Sequence, residues 1–155
     1  MNTNFWGPHG WIFIHSIANN YANLDWEKLK EEDKIDEVQE DYEKFFHYLG
    51  KVLPCRYCRK SYNEYIKELP IKHYLNGPDD LLYWTYCIHN KVNDKLRSQG
   101  EYNKPNPSFD LVCKTYKSKN AKSCINKVKC KPSSSCSKKT QCTVKPYQKI
   151  KYSKK

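Results

Sequence analysis

Cys55 and Cys58 are separated by Arg56 and Tyr57, a C-x-x-C arrangement. Two cysteines at this spacing can close a small, strained and exchangeable disulfide. At a helix N-terminus the backbone N–H groups and the helix dipole stabilise a thiolate and lower its pKa. Arg56 and Arg59 add positive charge. The chemistry on offer is dithiol–disulfide exchange. The competing reading is half of a zinc site, which needs two further ligands, usually a second C-x-x-C or a His pair. The chain has no second C-x-x-C. Cys87 and His89 could contribute, but successive helical positions splay by about 100° per residue, so C-x-H on a helix chelates poorly. Redox chemistry is the better fit. A zinc-stabilised binding module with a basic, nucleic-acid-binding tail is the alternative from a different class.

A second group of residues could hold something flat and polar. His89 and Asn93 lie one helical turn apart in His89-Asn90-Lys91-Val92-Asn93, and Trp11 and His15 share a face of an earlier helix. Taken alone, Trp11 and His15 read as a core indole beside a buried, hydrogen-bonded imidazole. Near a C-x-x-C, the same residues point to a flat aromatic ligand, stacked on rings and bonded at its edges by amides.

The elements that must position these residues are helical. Pro8 to Tyr21 reads as a first helix, with Pro8 tolerable in its first turn. The charged stretch Asp25 to Asp36 reads as a surface loop or helix start. Val38, Tyr42, Phe45, Phe46, Leu49, Val52 and Leu53 form an apolar stripe over about Glu37 to Leu53, and Pro54 ends it. The C-x-x-C leads into a third helix that Pro70 closes. After the turn at Asn76-Gly77-Pro78, Asp79 or Asp80 can cap a fourth helix, striped by Leu81, Trp84, Ile88, Val92 and Leu96. Gly100 to Pro107 is a loop, and Phe109 to Tyr116 makes a short fifth helix. No segment alternates as a strand would. The expected fold is all-α, a four-helix bundle with a short fifth helix over residues 1–116.

In chain order, Trp6-Gly7-Pro8-His9-Gly10-Trp11, His15, Cys55-Arg56-Tyr57-Cys58 with Ser61-Tyr62, Trp84 and His89-Asn90-Lys91-Val92-Asn93 resemble the Erv/ALR family of FAD-linked sulfhydryl oxidases. The similarity covers roughly residues 6–116 and is nearest in kind to the compact forms encoded by large DNA viruses. It implies a helical bundle, usually a homodimer, with FAD as cofactor and no catalytic metal. It implies that Cys55 is attacked by an incoming thiolate and that Cys58 faces the flavin. Trp11, His15, His89, Asn90 and Asn93 would line the cofactor, with Trp84 and Tyr116 nearby. Oxygen would take the electrons and leave as hydrogen peroxide. The implied partners are protein thiols or a thioredoxin-like carrier, in the host cytoplasm or the virion if the chain is viral. Many relatives carry a structural disulfide whose positions here hold Tyr86 and Leu111. Cys87 and Cys113 are each offset from it, so that bridge is expected to be absent or to take another geometry.

Residues 117–155 differ from the rest. They hold 13 Lys and no acidic residue, whereas residues 1–116 carry 15 basic and 17 acidic side chains. The net charge of +11 therefore belongs to this tail. Its apolar residues are too few to fold it alone. Cys124, Cys130, Cys136 and Cys142 recur every six residues. The family resemblance implies one reading, a shuttle on a flexible arm that carries electrons to Cys55 at high effective concentration. Another is a disordered basic arm whose thiols oxidise at random. A third, non-specific nucleic-acid binding through lysines, lacks aromatic interleaving beyond Tyr147 and Tyr152. The N-terminal Met1-Asn2-Thr3-Asn4-Phe5 has neither a basic nor an apolar signal region, so a cleaved secretory signal is not expected. With eight cysteines and no such signal, redox or metal chemistry is favoured over a secreted disulfide scaffold. No apolar run approaches the length of a membrane span.

Overall fold

A computed structural model describes residues 2–77 and 79–120. The tail cysteines Cys124, Cys130, Cys136 and Cys142 lie outside the described residues. Six α-helices are present: α1 (Thr3–Tyr21), α2 (Trp26–Glu31), α3 (Ile35–Val52), α4 (Arg56–Glu68), α5 (Asp80–Ser98) and α6 (Phe109–Lys117), with a 3-10 turn at Ile71–Tyr74. No strand occurs among the described residues. The long helices α1, α3, α4 and α5 form the expected four-helix bundle, and α6 is the short additional helix.

Two element starts differ from the sequence reading. α1 begins at Thr3, not Pro8, because Asn2 caps it by accepting from the Asn4 N–H at 2.9 Å. Pro8 therefore lies inside the helix, where it removes one donor. α2 forms where a loop or helix start was expected. Asp25 caps it by accepting from the Lys28 N–H, and Trp26 packs edge-on against Tyr21 at 4.8 Å. Its other side chains are mainly charged, which hides it from a periodicity argument.

α5 is the central element. It packs on α1, α4, α6 and the 3-10 turn, and it buries Leu81, Leu82, Trp84, Thr85 and Ile88. Those side chains meet Ala18 and Tyr21 of α1, Phe46 of α3 and Tyr62 of α4 in one core. The end of α5 is closed by Gly100 at φ 74°, with the Glu101 N–H reaching the Leu96 carbonyl at 2.9 Å. α3 and α4 cross at Gly50. A Cβ placed there would sit 2.7 Å from Tyr62 Cδ1 and 2.8 Å from Asn63 Oδ1, so only hydrogen fits. The compact unit runs through Asn120, whose side chain bonds Asn19 and Asn23 of the α1 end.

Candidate functional site

The leucine and proline before the C-x-x-C set its position. Leu53 adopts φ −49°, ψ 135°, the extended conformation that a following proline favours, and α3 stops there. Two residues later Cys55 is the N-cap of α4, and its Sγ accepts from the Cys58 N–H at 3.3 Å. The helix-start placement expected from sequence is therefore present, and Cys55 itself supplies the cap.

This geometry makes the two sulfurs unequal. Hydrogen bonding from the Cys58 thiol, assisted by the Cys58 and Tyr57 N–H groups, holds the Cys55 pKa below its ordinary value. Burial pushes Cys58 up to about 11, and the adjacent Cys55 sulfur adds to the rise. Lys95 of α5 opposes that rise. Its ammonium donates to Ser61 Oγ at 2.6 Å, and Ser61 lies one turn beyond Cys58 on α4.

Cys58 forms one wall of a cleft between α1, α4 and α5. Trp6, Gly7, Gly10, Trp11, Ile14, Leu53, Tyr62 and Val92 complete its mainly apolar lining. Tyr62 is held there by donating its hydroxyl to the Phe46 carbonyl at 3.0 Å. The Trp6 indole N–H is buried with no partner among the described residues. Aromatic faces, a sulfur and an unmatched donor suit a flat aromatic redox group. The cleft measures about 70 Å³ and must widen to admit one. A larger open groove of about 430 Å³ lies between α3, α4 and the 3-10 turn, but neither cysteine lines it.

Four of the expected ligand-lining residues come together beside the cleft. His89 stacks flat on Trp11, with centroids 3.9 Å apart and planes within 6°. His15 is 5.7 Å from Trp11 and 5.1 Å from Tyr116 of α6. His15 Nε2 and His89 Nδ1 are 3.0 Å apart, and His15 Nδ1 is 2.9 Å from Thr85 Oγ1. Burial lowers the pKa of His15 to about 3, with neighbouring His89 adding to the shift. Burial likewise lowers His89 to about 4. Both rings are neutral at physiological pH.

Three expected residues are placed differently. Trp84 is wholly buried in the core, stacks edge-on with Phe46 at 5.0 Å, and donates its N–H to the Leu69 carbonyl. Asn93 is buried and donates to Asn106 Oδ1 at 3.1 Å, tying α5 to the loop before α6. Asn90 is half-buried and bonds no side chain among the described residues. Thr85 and Lys95 are residues the sequence did not single out, and Ser61, named there only beside the C-x-x-C, is the partner of Lys95. Cys87 and Cys113 are free thiols, as are Cys55 and Cys58. Among the described residues no three His, Cys, Asp or Glu side chains gather as metal ligands would. No described helix is long and apolar enough to cross a membrane.

With that geometry in view, comparison places the chain in a family. Residues 8–118 match the Erv1/Alr family, and the chain belongs to it. It is 35% identical over 94 residues to a protein of Acanthamoeba polyphaga mimivirus named a probable FAD-linked sulfhydryl oxidase, covering 60% of this chain and 59% of that one. It is 30% identical over 104 residues to the mitochondrial FAD-linked sulfhydryl oxidase of Saccharomyces cerevisiae, covering 67% of this chain and 45% of the relative. An African swine fever virus FAD-linked sulfhydryl oxidase is 30% identical over 97 residues, covering 61% of this chain and 70% of the relative. The chain thus spans about three-fifths of the mimivirus protein and under half of the yeast one.

Proposed function

We propose that this protein is an FAD-dependent thiol oxidase that forms disulfides in protein substrates and reduces oxygen to hydrogen peroxide. The observation that carries the reading is the Cys55–Cys58 pair capping α4, with Cys58 on the wall of an aromatic cleft. The names of the relatives support it. Bound FAD would supply the two-electron chemistry that connects the dithiol to oxygen.

The chain's own residues do the rest. An incoming substrate thiolate attacks Cys55 Sγ of the oxidised pair, and Cys58 leaves as a thiolate. A second substrate thiolate then attacks the mixed disulfide and releases Cys55. Two substrate thiols lose two electrons and two protons, and oxygen receives both. Lys95, held by Ser61, stabilises the Cys58 thiolate that burial alone would disfavour. Trp11, His15, His89 and Tyr116 line the cofactor, and Asn90 contributes an edge contact. Asn93 acts indirectly, through the loop it holds. Trp84 stabilises the core behind the site.

Two further features belong to this reading. Phe5, Ile12 and Phe13 of α1 and Tyr48 and Val52 of α3 are exposed apolar residues, and Phe13 meets Phe45 at 6.5 Å to link the two helices. A second copy of the chain covers this face in a homodimer. Cys124, Cys130, Cys136 and Cys142 relay electrons from protein thiols, or from a thioredoxin-like carrier, to Cys55. The setting is the host cytoplasm or the virion of a large DNA virus.

The test is an absorbance spectrum of the desalted full chain before and after dithiothreitol without oxygen. A flavin band that bleaches with thiol supports the reading. A colourless protein that takes up no FAD on supplementation refutes it.

A further inference from the structure

Thr85 has one hydroxyl proton, and its destination is set. Its Oγ1 lies 2.8 Å from the Leu82 carbonyl, which can only accept, so the hydroxyl donates there. The other Thr85 contact is His15 Nδ1 at 2.9 Å. With its proton already committed, Thr85 Oγ1 can only accept from that nitrogen. His15 therefore carries its proton on Nδ1, and its Nε2 is a bare lone pair. The partner of that lone pair is His89 Nδ1 at 3.0 Å, which must donate. His89 is then also an Nδ1–H ring, and its Nε2 is left unprotonated with no protein partner among the described residues. The chain of four groups runs Leu82 carbonyl, Thr85 hydroxyl, His15, His89, and each link leaves the next no choice.

We propose that Thr85 is a positioning residue that fixes the tautomers of His15 and His89, so that His89 meets the cofactor with Nε2 as an acceptor only. Such a nitrogen takes a neutral donor, a hydroxyl or an exocyclic amine. It rejects an anionic phosphate oxygen, because two lone pairs would face each other. The inference rests on the flavin reading for the identity of the ligand, whereas the tautomers follow from the protein alone. Thr85 carries no chemistry of its own and lies wholly buried, which is why it is invisible as a site residue in the sequence.

The test is imidazole nitrogen spectroscopy of the full-length, nitrogen-15-labelled protein loaded with FAD at neutral pH. His15 and His89 should both show a protonated Nδ1 and a bare Nε2, and the exposed His9, His47 and His73 give the three other imidazole signals in the same spectrum. Thr85→Val should redistribute the His15 and His89 tautomers and weaken FAD binding by about tenfold, the usual effect of stranding a buried donor. Thr85→Ser should restore both. An Nε2-protonated His15 in the wild type, or Thr85→Val with unchanged tautomers, overturns the proposal. A protein that takes up no FAD yet shows both Nδ1–H rings overturns the cofactor half alone. A yellow protein with other tautomers overturns the relay alone.

Discussion

Gly50→Ala tests whether the α3–α4 crossing controls both stability and the site. An alanine in a helix is favoured over glycine by about 0.5–1 kcal/mol, so in open space the change would stabilise. At Gly50 the new carbon meets Tyr62 Cδ1 at 2.7 Å and Asn63 Oδ1 at 2.8 Å. Neither neighbour is free to yield. The Tyr62 hydroxyl is bonded to the Phe46 carbonyl at 3.0 Å, and the Asn63 amide is shared between the Gly50 carbonyl at 3.2 Å and the Arg59 carbonyl at 2.8 Å. Overpacking of this kind costs about 1–3 kcal/mol. Less the propensity gain, the net loss centres on about 1 kcal/mol, or roughly 3–6 °C in Tm for a domain of this size. The strain pushes on α4, which carries Cys58 and Tyr62 into the cleft, so flavin retention should fall with stability. Thermal unfolding by circular dichroism, paired with the flavin-to-protein absorbance ratio after desalting, reads both. A variant as stable as the wild type and equally yellow would refute the argument.

Other outcomes follow from the same geometry. Cys58→Ser should abolish oxygen uptake with dithiothreitol and leave the protein yellow; retained turnover would remove that pair from the reaction. In the reduced, flavin-free protein, iodoacetamide should modify Cys55 below the ordinary thiol range and Cys58 only as pH approaches about 11, which peptide mapping would resolve. Lys95→Met should raise the pH needed to alkylate Cys58 and leave Cys55 unaffected. Folded His15 and His89 have depressed pKa values of about 3 and about 4 against an ordinary 6.5. The unfolded chain therefore binds more protons below pH 6.5, their stabilising contribution is complete above that pH, and it is lost progressively towards pH 3. Urea midpoints across that range should fall with decreasing pH, and His15→Gln should flatten the slope. Deleting residues 121–155 should spare dithiothreitol oxidation and slow oxidation of a protein thiol; equal loss on both would sink the shuttle.

The bundle was legible because α3, α5 and α6 bury one stripe each, and spacing reports a stripe directly. α2 was legible only as a choice between loop and helix start, because its six residues are mainly charged and its cap, Asp25, resembles any loop aspartate. The C-x-x-C and the Trp11, His15 and His89 rings were readable from residue type and helical register, and Tyr116 joined them only through the family resemblance. Trp84 was not separable from them by sequence. It shares their helix with His89, and only packing reveals that its ring turns to Phe46 and its N–H to Leu69. Thr85, Lys95 and the part Ser61 plays were unreadable for a different reason. Their importance lies in which neighbour takes a proton or a charge, and no periodicity encodes that.

Cys55 serves the helix and the chemistry with one atom. Its sulfur holds the Cys58 amide in the first turn of α4, and this bond strengthens when the sulfur is a thiolate. Closing the disulfide joins that same sulfur to Cys58 and removes its charge. Whatever steadies the first turn of α4 around the thiolate therefore stabilises the reduced pair and makes its reduction potential more oxidising. The sequence around Pro54 and Tyr57 is thus a handle on electron affinity, and slowing of amide exchange at Cys58 on reduction would be its most direct signature.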